Sequence, residues 1–176
     1  FAYQLGVKAN EPFNVKNVFV LVEYNQVQPY TYAHRIPMQN YTHFNQALAH
    51  PLGANFKEMI GILSYDYKKW NLEVKWNHAI YGEDSLGTHF GKNIFLSDLE
   101  AQNEGQQYSY GNFNGQGVKT IQDYVSATIS RQIKESSIYL YGQLISRKIS
   151  SDLQDINHLY FLVGIKTNLH NSYLGF

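Results

Sequence analysis

An all-β fold of antiparallel strands is what this sequence predicts, and three observations predict it. Apolar residues recur at every second position over most of the chain, the period that lines them up on one face of a strand. No stretch longer than a turn around 96–102 repeats with helical spacing. Breaker-rich segments separate the alternating ones, and three of the four prolines fall between residues 27 and 55.

Taken in order, residues 1–10 alternate Phe1, Tyr3, Leu5, Val7 and Ala9 against Ala2, Gln4, Gly6, Lys8 and Asn10, which reads as a first strand. A short connection, 11–16, leads to a second over 18–26, with Val18, Val20, Val22 and Tyr24 on one face. A long irregular stretch, 27–55, follows. The clearest signal is the hairpin in 59–80: Met59, Gly61, Leu63, Tyr65 and Tyr67 share a face with Trp70, Leu72, Val74, Trp76 and Ile80. With Lys68 and Lys69 as the turn, Tyr67 pairs with Trp70, Tyr65 with Leu72, Leu63 with Val74, and Gly61 with Trp76, whose ring then covers the bare glycine backbone. Lys-Lys is not the Asn-Gly that a tight turn prefers, which leaves room for a slightly longer connection.

A second long stretch, 82–119, contains NEGQQYSYGNFNGQG, too rich in Gly, Asn and Gln to form a core. The fifth strand spans 120–133 with Val125, Ala127 and Ile129 on the apolar face. The sixth spans 136–147 with Ile138, Leu140, Gly142 and Leu144, which sets Ala127 opposite Gly142. Residues 148–157 read as a loop of middle length, and a seventh strand from 158 shows Leu159, Phe161, Val163, Ile165 and Leu169.

Connections therefore run short, long, short, long, short, medium, with every longer one at the same end. A soluble sandwich has no reason for that arrangement. An outer-membrane barrel does, because its periplasmic turns are short and its surface loops long. The expectation is an antiparallel transmembrane β-barrel of the bacterial outer membrane, with long surface loops at about 27–55 and 82–119; a soluble β-sandwich or lipocalin-like cup is the competing reading. Tyr65, Tyr67 and Trp70 would form an aromatic girdle at the periplasmic rim, and Tyr24 and Trp76 at the other. Arg131 would lie outward near a turn, within reach of headgroups. Single-chain bacterial barrels have even strand counts from eight upward, so about seven strands beginning at Phe1 rather than Met imply the C-terminal part of a larger barrel.

Composition narrows the function. The 14 basic and 14 acidic residues balance, leaving no electrostatic footprint for nucleic acid. With no cysteine there is neither a disulfide nor a thiolate metal site. The longest apolar run, 18–22, is far short of the ~20 residues of a spanning helix, which does not bear on barrels.

The stretches PYTYAH at 29–34 and NYTHFNQALAHPLGANF at 40–56, with the chain end GIKTNLHNSYLGF at 164–176, resemble Wzi-like capsule-assembly outer-membrane barrels of the Bacteroidetes, including gliding-motility barrels of that type. The resemblance implies a non-enzymatic barrel in outer-membrane lipid, without a cofactor, engaged with surface polysaccharide or, alternatively, with other outer-membrane proteins of a secretion, assembly or gliding complex. One departure stands out: strict alternation would put Leu174 and Phe176 on the inward face, so a bulge or bend is needed there.

Within 27–55, Tyr30, Tyr32, His34, Tyr41, His43, Asn45, Gln46 and His50 are the candidate glycan contacts, since flat rings cover sugar C–H groups while amides and imidazoles bond hydroxyls. The alternative is a loop that plugs the barrel, its polar groups satisfying one another. His34, His43 and His50 fit no compact metal-ligand spacing, and Asp84, Asp98 and Glu100 no calcium loop. Asn40-Tyr41-Thr42 fits the N-glycosylation triplet, and Asp84-Ser85-Leu86 resembles an O-glycosylation acceptor centred on Ser85. Asp84 and His89 are hydrolase candidates, but no motif sets a nucleophile, base and orienting group together.

Overall fold

A computed structural model of the chain describes residues 1–85, 88–100 and 111–167. Among them nine strands follow in order: β1 Ala2–Asn10, β2 Val18–Val27, β3 Thr42–His43, β4 Gln46–Ala47, β5 Phe56–Tyr67, β6 Trp70–Glu83, β7 Val118–Gln132, β8 Ile138–Ser151 and β9 Asp155–Thr167. β3 and β4 make a small separate hairpin. The other seven form one antiparallel sheet in the order β1-β2-β5-β6-β7-β8-β9, with no crossover and with β1 and β9 as open edges. The fold is all-β, and its helical content among these residues is confined to 3₁₀ turns at Pro12–Asn14, Pro37–Gln39 and Asp98–Glu100.

The central hairpin has the register that its alternation requires: Tyr67 opposes Trp70, Tyr65 Leu72, Leu63 Val74 and Gly61 Trp76. Trp76 does lie over Gly61, with Cε3 3.5 Å from the place of a β-carbon. The two-residue turn at Lys68 and Lys69 also holds, and Lys68 takes a left-handed φ of 55° to make it.

Two expectations need correction. β8 runs on to Ser151 and β9 starts at Asp155, so the predicted loop over 148–157 is mostly strand. Lys148 pairs with Asn157, and the Ser150 hydroxyl donates to the Asp155 carboxylate, so polar side chains prolong the ladder where apolar alternation fades. The long connections at one end of the sheet are thus 28–55 and 84–117; the third at that end is a tight turn. Ala127, moreover, opposes Leu144, while Gly142 opposes Ile129, because β7 and β8 pair two residues out of the expected register. Leu169, Leu174 and Phe176 lie outside the described residues.

The two faces differ sharply. One carries Leu63, Leu72, Val125, Ile129, Leu140, Leu144, Leu159, Phe161, Val163 and Ile165, all exposed, from 40% for Val125 to 73% for Phe161. Nothing among the described residues covers this face. The opposite face is largely polar and holds the burial: Asn25, Glu58, Thr120, Ser126, Thr128 and Ser130 are shielded there. Among the described residues the buried apolar cluster is at its long-loop end, where Val27, Phe56, Ala79 and Tyr81 of the sheet meet Ala54 and Ile94 of the loops. Both long loops therefore fold onto the polar face, driven by removal of these side chains from water.

Candidate functional site

The two long loops are tied into one cap. Asn55, fully buried, donates from Nδ2 to the Gln116 carbonyl at 2.9 Å and the Gly82 carbonyl at 3.2 Å, and accepts at Oδ1 from the Gly115 amide at 2.8 Å. Asn114 donates to the carbonyls of Val27 at 2.6 Å and Phe56 at 3.1 Å, opposed residues at the long-loop ends of β2 and β5. The Asn40 amide donates to the Leu96 carbonyl at 3.0 Å, its Oδ1 accepts from the His34 amide at 2.6 Å, and the Ser97 hydroxyl donates to the Arg35 carbonyl at 2.8 Å. Asn40 is buried by these bonds, so the N-glycosylation triplet has no free amide.

Beneath the cap, Glu58 is the anchor. Its carboxylate accepts from Asn77 Nδ2 at 2.6 Å and Asn25 Nδ2 at 3.1 Å, and His50 Nε2 lies 3.0 Å away. The Leu52 amide donates to His50 Nδ1 at 3.2 Å, which leaves Nε2 as the nitrogen that donates to Glu58. The His50 ring stacks on Phe56 at 4.4 Å between centroids. The Glu58 carboxylate of β5 thereby joins β2 and β6 to one loop side chain.

A cleft of about 330 Å³ opens beside this anchor, lined by Gln4, Glu23, Asn25, Tyr32, His50 and Phe56, among others. It presents the Glu23 carboxylate and the Gln4 amide beside the Tyr32 ring, groups of the kind that bind polyols, while the His50 nitrogens and Asn25 Nδ2 are held by their neighbours. Tyr41 stacks on Tyr32 at 5.7 Å with its own ring half in solvent. Burial, then the neighbouring Tyr41, raises the Tyr32 hydroxyl above the ordinary phenol value.

The remaining candidates lie elsewhere. Tyr30 is packed inside the cap, its ring edge-on to His89 at 5.1 Å and its hydroxyl donating to the His89 carbonyl at 2.6 Å. His34 is exposed. His43, Asn45 and Gln46 ride on the β3-β4 hairpin, whose turn residues Phe44 and Asn45 take φ of 46° and 58°. The structure thus brings Tyr32, Tyr41 and His50 to one place and leaves the others apart. Gln4 and Glu23, on β1 and β2, were missed by sequence reasoning; their only signal was polar parity on strands that face the loop.

Comparison with family models, with curated proteins and with solved structures returns no match for this chain.

Asp84 and His89 do meet, Oδ2 to Nδ1 at 3.3 Å, but as a structural pair. The carboxylate also accepts from the amides of Phe90 and, at 3.1 Å, Asn93, closing the turn. Burial pushes this carboxyl up, yet His89 and the two amides outweigh it and hold it below the ordinary carboxylate range. His89 is 2% exposed, and the nearby Ser85 hydroxyl is engaged with Thr88 at 2.8 Å. Ser85 is half-buried in that turn; Leu86, which completes its triplet, lies outside the described residues. His34, His43 and His50 face different partners and do not converge.

Tyr24, Tyr65, Tyr67, Trp70 and Trp76 share the apolar face. Tyr65, Tyr67 and Trp70 gather at the short-turn end, with the Arg131 guanidinium over the Trp70 ring at 5.1 Å. Tyr24 and Trp76 lie towards the long-loop end, where the Tyr3 and Tyr24 hydroxyls both donate to Gln26 at 2.9 Å. A transverse row that sequence reasoning missed runs just beyond them: His78, Asp123, Lys148 and Asn157 are neighbours in register on this face. His78 Nδ1 lies 2.7 Å from Asp123 Oδ1. The apolar band thus has an aromatic and cationic border at one end and a polar row at the other.

Proposed function

We propose that this chain is part of the wall of a bacterial outer-membrane β-barrel, non-enzymatic, whose loop cap and adjoining cleft bind surface polysaccharide. The observation that carries the reading is the uncovered apolar face, continuous over all seven strands of the main sheet and bordered by rings and charges. Leaving that much aliphatic surface in water is costly, whereas acyl chains accept it. A soluble sandwich needs a second sheet over this face, and the described residues supply none. The polar face would then look into the barrel interior, where the knitted loops form the cap. The open edges β1 and β9 present unpaired backbone groups, which lipid does not tolerate, so further strands would close the wall. That fits the likeness of 29–34 and 40–56 to capsule-assembly barrels, which are larger.

Glycan is favoured as ligand by the cleft, where the Tyr32 ring lies beside Glu23 and Gln4. Binding of surface polysaccharide from the source cells, measured on detergent-solubilised protein by calorimetry, should fall about tenfold or more in Tyr32→Ala and Glu23→Gln, each loss being worth a stacking or charge-assisted contact. Equal binding by the parent and both variants refutes the cleft.

A second reading has its own observation. Met38 and Phe44, at the cap's outer loops, are 95% and 88% exposed, and neither suits sugar hydroxyls. They favour a protein partner, as in a structural subunit of a secretion, assembly or gliding complex. Crosslinking from position 44 in intact cells decides: a discrete protein adduct supports the complex, and crosslinks to glycan alone remove it.

A further inference from the structure

At the short-turn end of the apolar face Tyr65, Tyr67, Trp70, Asn71, Leu72 and Ile129 line a groove of about 280 Å³. The hairpin register makes it: Tyr67 opposes Trp70, Tyr65 opposes Leu72, and Leu72 opposes Ile129 on the next strand, so three strands contribute side chains of unequal length to one face. The aliphatic pair forms the floor and the rings form the walls. Nothing polar on this face interrupts the floor, which suits a methylene chain and little else.

Cations stand at the mouth. Arg131, paired with Trp70 across β6 and β7, holds its guanidinium 5.1 Å from that ring. Lys68 Nζ lies 5.1 Å from the Tyr67 ring on the other side. Neither cation is in an ion pair among the described residues, where the Lys and Arg salt bridges are those of Lys75 with Glu73 and Lys92 with Glu83. Lys69 and Lys134 occupy the adjoining turns. Unpaired cations at the end of an apolar groove are complementary to one kind of molecule, an acyl chain that ends in an anionic group.

We infer that this groove is a binding site for an anionic phospholipid, one acyl chain lying on Leu72 and Ile129 between the rings and the phosphate held by Arg131 and Lys68. The inference rests on the membrane-wall reading above and goes beyond it, because a generic girdle tolerates any headgroup whereas this site selects negative charge. Arg131 supplies the planar fork that matches phosphate oxygens, and Lys68 a mobile point charge.

The test uses the full chain with Trp76→Phe, which leaves Trp70 as the sole tryptophan and keeps an aromatic ring over Gly61. The protein is reconstituted in phosphatidylcholine vesicles that contain a small equal fraction of either brominated phosphatidylglycerol or brominated phosphatidylcholine, and Trp70 fluorescence is followed. The anionic brominated lipid should quench about fivefold more effectively per mole, the preference expected from one or two basic groups near a headgroup. Arg131→Gln with Lys68→Gln should abolish the preference, and Arg131→Lys alone should retain most of it; circular dichroism confirms that each variant is folded. Equal quenching by both lipids overturns the site while leaving the wall reading intact. No quenching by either overturns the wall reading and the site with it.

Discussion

Asn55 and Gln116, 61 residues apart, are joined by a buried hydrogen bond of 2.9 Å from the Asn55 amide to the Gln116 carbonyl. The same side chain accepts from Gly115, so one residue of the first long loop closes the end of the second. Replacing it by Ala strands these buried backbone groups, at a cost of about 2 kcal/mol. Hydrogen exchange at Gly115 in Asn55→Ala should accelerate by more than tenfold while the β5-β6 ladder stays protected; unchanged exchange would show that the loops hold together without it.

Glycines on the central hairpin separate into two kinds. A β-carbon on Gly82 would lie 1.7 Å from the Gln116 carbonyl oxygen, an overlap with backbone that nothing small can relieve. On Gly61 it would meet Trp76 at 3.5 Å, an ordinary contact. Gly82→Ala should displace the 112–117 segment and expose it to limited proteolysis, whereas Gly61→Ala should resist proteolysis like the parent.

Acid should loosen the cap through Asp84. Its folded-state carboxyl titrates below the unfolded value of about 3.9, so its contribution is complete above that value and is lost as pH falls through the folded one. Protection of the Phe90 and Asn93 amides should therefore drop in strongly acidic buffer, and Asp84→Asn should show reduced protection already at neutral pH with a flatter profile. A variant with the parent's pH profile would locate the acid sensitivity elsewhere.

Face, not strand, should decide the effect of a charge on β5. Leu63 is at the middle of the uncovered apolar band and Ser64, next in sequence, is on the polar face, where it accepts from Asn71 at 2.9 Å. In a bilayer, Leu63→Arg should cost about 2–4 kcal/mol and Ser64→Arg much less. Urea titration of vesicle-reconstituted protein measures both, and equal losses would argue against acyl chains on that face.

Lys68 carries backbone strain at φ 55°. Lys68→Gly should raise stability by about 1 kcal/mol, because glycine enters the left-handed region without a β-carbon clash. A shift in the denaturation midpoint reports it, and a decrease would mean that the ammonium group contributes more than the strain removes.

The pattern of Met59 to Ile80 was enough to pair Gly61 with Trp76 and Tyr67 with Trp70, because a period-two sequence with one apolar face admits a single register. It also predicted an all-β chain and the end at which the long loops emerge. It did not reveal that β8 and β9 extend through 148–157, since the one apolar pair there, Ile149 opposite Ile156, lies on the polar face, out of phase with the apolar band, among polar residues such as Ser150 and Asp155. Nor did it place Gln4 and Glu23 beside Tyr32 and His50, or His78 beside Asp123, because such neighbours arise from strands or loops that meet only after folding. Alternation is a property of the local chain and was legible by itself. Which loop groups converge on Glu58 and Asn55 depended on how the two long loops fold onto the polar face, a matter of long-range burial and hydrogen bonding that only the tertiary structure decided.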